Sequence, residues 1–239
     1  MNKLLVFTTL MLGALTTQAA NSSQKAKGFI DINIYPYLTD VTNDSVFTIN
    51  LGANLSDNLS YFSLNNFYNQ GDKHYINDLD GFYTEQNLRW KFKGTPFDAT
   101  VQANFRTGQD NDRHRLGLRW RLNDTSALED FFSSIHLKYA INFHLIQFDN
   151  DPNHVWQMEH AYFMKFPYLS DKLYLSGFID HTFNETTAPV IPNNPVVSET
   201  QLGYQLTENF YLVAEWRINQ YRRTDVNNTA IGLQYKVVF

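Results

Sequence analysis

The chain has 239 residues, no cysteine and a formal charge of −5 at neutral pH. This excludes a disulfide framework, a thiolate metal site and a cysteine nucleophile, and the mild acidity argues against a nucleic-acid polymer as partner. Nineteen Phe, fourteen Tyr and four Trp accompany a mean hydropathy of only −0.39, which suits strands with one apolar and one polar face.

The N-terminus reads as an export leader. Met1-Asn2-Lys3 carries one positive charge, and Leu4 to Leu15 is apolar but for threonines and a glycine. Thr17-Gln18-Ala19 places small residues at −3 and −1 of a cleavage site. Residues 1–19 are therefore expected to be a signal peptide and 20–27 a short periplasmic tail, with 28–239 as one domain. Loss of Lys3 takes the charge from −5 to −6. No later apolar run is long enough for a membrane helix.

From residue 28 the dominant period is two, and twelve strands are predicted: 28–38, 45–55, 60–69, 82–93, 97–107, 113–122, 134–148, 156–166, 173–184, 197–206, 210–221 and 227–239. In the fifth, Phe97, Ala99, Val101, Ala103 and Phe105 alternate with Asp98, Thr100, Gln102, Asn104 and Arg106. The sixth and seventh alternate as strictly, so each has an apolar and a polar face. Tight turns at 56–58, 94–96, 168–171 and 207–209 alternate with longer connections at 70–81, 150–155 and 185–195. Residues 123–132 are long for a turn and are read as holding a helical turn.

An even number of tilted, bilayer-length strands predicts an all-β fold, a twelve-stranded antiparallel transmembrane β-barrel of the outer membrane. Its apolar face is expected to be continuous toward outer-membrane lipid. A soluble two-layer sandwich has similar strand spacing but needs polar groups at its water-facing positions. The last segment presents Ile231, Leu233, Tyr235, Val237 and Phe239 on one face. This ending resembles the signal read by the outer-membrane barrel assembly machinery, with Phe239 as the contact.

The complementary face then lines the lumen. The fourth to sixth strands supply a basic wall: Arg89 with Lys91, Arg106, then Arg113, Arg115, Arg119 and Arg121; Glu85 lies among them. The eighth to eleventh lean acidic, with Glu159, Asp180, Glu199, Gln201 and Glu215 beside Arg217. Walls of unlike charge would set up a transverse field that sorts polar solutes. Tyr35, Tyr37, Phe67, Phe163, Tyr174, Phe178 and Tyr211 are also assigned inward. They would stack on a planar solute or, as the plainer reading, fill the barrel. Seven scattered histidines form no metal-ligand motif. His136 and His144 are placed on one strand face, and Ser133 and Ser134 lie near His136 without an evident acidic partner, so no catalytic residue is assigned.

Several of these stretches, in order, resemble the nucleoside-specific outer-membrane channel family of the Tsx type, in a short form. They are Phe82-Tyr83-Thr84-Glu85 with Leu88 to Phe92, Ser176-Gly177-Phe178-Ile179-Asp180, Ser198-Glu199-Thr200-Gln201-Leu202, Tyr211 to Trp216, and Gly232 to Phe239. The resemblance implies passive, substrate-selective diffusion of a small-molecule solute such as a nucleoside, without cofactor or energy source. The solute contacts it implies are Glu85, Phe178, Asp180, Glu199, Gln201 and Glu215; the charge pattern adds Arg89, Arg106, Arg115, Arg119 and Arg217. The cluster of Arg106, Arg115, Arg119 and Arg121 would suit a porin for acidic oligosaccharides. A lipid-acting enzyme and a plugged structural barrel are the remaining alternatives.

Overall fold

The computed structural model describes residues 27–35, 45–69, 79–109, 111–149, 151–222 and 225–239. The expected leader, residues 20–26 of the tail and Tyr37 lie outside the described residues. Twelve strands follow one another: β1 (Gly28–Ile34), β2 (Ser45–Asn54), β3 (Leu59–Tyr68), β4 (Gly81–Lys91), β5 (Phe97–Arg106) and β6 (Arg113–Arg121). They continue as β7 (Leu137–Phe148), β8 (Trp156–Phe166), β9 (Ser170–Phe183), β10 (Val196–Gln205), β11 (Phe210–Asn219) and β12 (Asn227–Val238). Each pairs antiparallel with its neighbours in sequence, and β1 pairs with β12, so the sheet closes into a barrel. Closure leaves no unpaired strand edge, the condition for spanning a membrane with strands.

The two termini meet at one end, where Gly28 N–H donates to the Phe239 carbonyl at 2.8 Å and Phe239 N–H to that of Gly28 at 3.0 Å. The tight turns and the β6–β7 connection lie at this same end, which we call the terminal end; the β7–β8 and β9–β10 connections lie at the other, the loop end. Gly94 adopts φ +73 in the β4–β5 turn, a conformation open to glycine. Between β6 and β7 the chain forms a 3-10 turn (Leu122–Asp124) and a short helix, α1 (Glu129–Ser134). This meets the expectation of a helical turn and delays β7 to Leu137. His136 falls before β7 at φ +53, so it does not share a strand face with His144 as expected.

On most strands the charged residues and most of the amides point inward. On β1, Asp31 and Asn33 are buried while Ile30 and Ile34 are exposed. On β11 and β12, Leu212, Trp216, Ile231 and Leu233 stand outward, each about half exposed. An outer surface of this composition is one that acyl chains cover.

The outer face is not continuous in its apolarity. On β3 and β4 the register pairs Ser63 with Gln86 and Asn65 with Thr84 on the outside. These groups satisfy one another: Thr84 Oγ1 donates to Asn65 Oδ1 at 2.6 Å, and Asn65 Nδ2 donates to the Ile49 carbonyl at 2.9 Å. Tyr61 donates to Gln86 Oε1. Polar groups within hydrocarbon are tolerated when bonded to each other. The same register corrects one inward assignment. Phe67 faces outward beside Phe47, with ring centroids 5.7 Å apart. Its neighbours Asn66 and Tyr68 face the lumen instead. Both faces of β3 mix polar and apolar residues, so the period gives the pleat but not its phase.

Gly232 marks the seam of the barrel. A Cβ there would sit 2.1 Å from the Ile34 carbonyl oxygen and 2.7 Å from the Tyr35 ring. Gly232→Leu is expected to disrupt the β1–β12 closure at a cost of about 1–3 kcal/mol or more. The check is the folded-band shift on heating in detergent gels, which the variant should lose or show at lower temperature.

Candidate functional site

Side chains leave a lumenal cavity of about 830 Å³. On one side it is bounded by Phe62 and Tyr68 of β3, Tyr83, Glu85 and Arg89 of β4, Arg106 of β5, and Arg113, Arg115 and Arg119 of β6. Facing them are Glu159 of β8, Phe178 and Asp180 of β9, Glu199 of β10 and Arg217 of β11. Thr186, Thr187, Ala188, Ile191 and Tyr221 close in from the loop end. Nine of the eleven predicted site residues therefore line one cavity.

Gln201 and Glu215 do not line it. They belong to a packed sector where Tyr35, Val213 and Ala230 form a buried core with Tyr211 against it. Gln201 Nε2 donates to the Tyr35 hydroxyl at 2.7 Å and to Glu215 Oε2 at 2.8 Å. Tyr174 donates to Gln234 Oε1 at 2.6 Å and stacks on Phe163 with centroids 5.6 Å apart. Most of the inward aromatics thus fill the barrel along β8 to β12 and β1. Among the described residues, Phe178 is the one predicted lumen aromatic that borders the cavity.

The charges are more mixed than two opposed walls. Arg119 Nη1 lies 3.8 Å from Asp98 Oδ2 on the adjacent strand, and Arg121 pairs with the same carboxylate. Arg121 also reaches Asp124 at 2.6 Å. Arg217 Nε lies 3.3 Å from Glu199 Oε1 within the acidic wall. Six arginines and five carboxylates line the cavity, so its formal charge is close to zero.

Three arginines differ from the rest. Arg89 lies over the Phe62 ring at 5.6 Å and Arg106 over the Tyr83 ring at 5.4 Å. Arg115 is 4% exposed and donates to Gln147 and Gln102, each at 2.6 Å. Among the described residues none of the three has a carboxylate within 4 Å. Glu85 is held by Asn87 at 2.7 Å and by Tyr83 at 3.1 Å, while Glu159 lies 3.2 Å from His144 Nε2. The cavity therefore offers cation–aromatic faces on β3 to β5, with Glu85 among them, and mostly carboxylates on β8 to β10 across from them.

Phe62, Tyr83 and Asp98 were not singled out as site residues from sequence. Phe62 was lost to the phase of β3. His144 keeps the inward face that alternation gave it, opposite Gln157 at the start of β8 and next to a β6–β7 register shift. Glu185 lies in a connection, where no period applies, and Tyr221 closes the predicted eleventh strand, which in the structure ends at Asn219.

No family model matches the sequence, nor does any curated protein. Among solved structures the barrel is similar to a KdgM porin, at 13% identity and TM-score 0.48, over 88% of this chain and 98% of that one. The same porin in complex with disordered oligogalacturonate gives 12%, 0.48, and 88% and 98%. The COG4313 outer membrane channel from Pseudomonas putida F1 gives 11%, 0.46, and 90% and 95%. These are likenesses of architecture among outer-membrane channels.

Proposed function

We propose that the protein is a passive outer-membrane channel selecting small polar solutes of low net charge that carry a planar ring, with nucleosides as the class that fits best. The observation that carries this is the cavity's composition: near-balanced charge, with the Phe62, Tyr83 and Phe178 rings at its wall. A planar base can stack on the rings while arginines and carboxylates bond its polar edge and the ribose hydroxyls. A polyanion would meet five carboxylates as well as six arginines. On this reading the loop end faces the cell exterior and Phe239 is offered to the assembly machinery at the periplasmic side.

Arg89, Arg106 and Arg115, which have no carboxylate within 4 Å among the described residues, favour a second reading, entry of short acidic oligosaccharides. Single-channel recording of the purified chain in planar bilayers separates the two. Uridine or adenosine should interrupt the current at concentrations where digalacturonate does not. Block by the acidic sugar alone would replace the first reading with the second.

A further inference from the structure

The connection from β9 to β10, residues 184–195, turns back over the lumen. Asn184 begins the turn in the left-handed region, at φ +62. The next residue, Glu185, receives Arg113 on one carboxylate oxygen and the Tyr221 hydroxyl on the other. Arg113 opens β6, and Tyr221 follows β11. These strands are five steps apart in a ring of twelve, so they stand nearly opposite each other. The chain Arg113–Glu185–Tyr221 therefore crosses the opening itself. The Glu185 side chain is only 6% exposed although it belongs to a surface connection.

A second set of contacts ties the same segment sideways. Asp151, in the β7–β8 connection, accepts from Thr186 N–H at 2.8 Å and from Thr186 Oγ1 at 3.0 Å. Asn153 donates to Thr186 Oγ1 at 2.9 Å. Beyond Thr186 the segment carries Thr187, Ala188 and Ile191 into the cavity lining. Ile191 N–H closes a turn on the Ala188 carbonyl at 2.8 Å. The anchor at Thr186 and the hold of Glu185 on Arg113 and Tyr221 thus lie side by side at the start of the segment, and Thr187 to Ile191 extend from them over the path.

We infer that residues 184–195 form a gate over the lumen, latched by Glu185 to Arg113 and Tyr221. This rests on the channel reading above. The latch is a charge-assisted pair plus one phenolic hydrogen bond, and both converge on a single side chain. Burial, then the Glu185 carboxylate, push the Tyr221 phenol up to about 12, so it stays a donor throughout the growth range. Releasing Glu185 leaves the Asp151–Thr186 contacts intact and gives the segment a hinge about which to swing outward.

The full chain, refolded or extracted in detergent, is placed in planar bilayers as wild type, Glu185→Gln and Tyr221→Phe. The open-to-closed ratio should rise about tenfold in Glu185→Gln and less in Tyr221→Phe, as expected for loss of a charged against a neutral partner. A second readout uses the absence of native cysteine. Ala188→Cys should react with a bulky impermeant thiol reagent several-fold faster when combined with Glu185→Gln. Unchanged gating and unchanged labelling in folded variants would overturn the latch. Faster labelling without conductance in any variant would uphold the latch and reject the channel reading.

Discussion

Replacing Arg89 and Arg106 together with glutamate should convert the lumen from near-neutral to strongly cation-selective. The two changes shift the cavity lining from six arginines and five carboxylates to four and seven. In a narrow passage with low-dielectric walls, a charge imbalance of this kind controls which ions enter. Both side chains border the cavity and lean on aromatic rings rather than on carboxylates. Their replacement therefore breaks no ion pair among the described residues. The zero-current potential across a potassium chloride gradient reads the outcome. It should move clearly toward the cation side, while a potential unchanged from wild type would mean that solutes do not pass these groups. Arg115→Glu is the informative contrast. Arg115 is almost wholly buried against Gln102 and Gln147, so its change should lower the yield of folded barrel before it alters selectivity.

The second large effect concerns the aromatic faces. Truncating Phe62 and Phe178 to alanine should weaken nucleoside block by roughly tenfold or more, since base stacking on an aromatic side chain contributes about 1–3 kcal/mol. Phe62 and Phe178 stand on opposite sides of the cavity, on β3 and β9, so either could hold a base that faces charges on the other wall. Removal of Phe62 also takes away the ring beneath Arg89. Arg89→Lys, which keeps the charge, is the control for that loss. Block is measured as the closure rate per unit concentration of uridine. If both truncations leave it unchanged while ion conductance persists, the rings are filling rather than contact.

The fold was legible in the sequence because burial on one side and lipid on the other force a period of two, and that period survives in nearly every segment. The strands with the strictest alternation, β5 and β6, are also those whose inward residues were all placed correctly. β3 shows the limit. Its outward Asn65 accepts from Thr84 and Gln86 of the next strand and donates to Ser63 of its own, and the cross-strand part of this is a fact that one strand's sequence does not contain. The candidate site was legible to the same degree. Glu85, Arg89, Arg106, Asp180 and Glu199 sit where alternation put them. Gln201 and Glu215 have the right face, but Tyr35 and Val213 fill the space beside them. Which inward residues meet space and which meet other side chains depends on their height and on what the opposite strand contributes. The placement of Glu185 was beyond reach for another reason. A connection's course is set by the contacts it makes, here with Arg113, Asp151 and Tyr221 at the loop end.

The passage of solute through this lumen is tested most directly by swelling of liposomes that carry the purified protein. With uridine as the external solute, swelling should be fast, should saturate with concentration, and should exceed that with digalacturonate. Rates equal to those of protein-free liposomes for both solutes, from a barrel shown to be folded, would contradict a channel altogether.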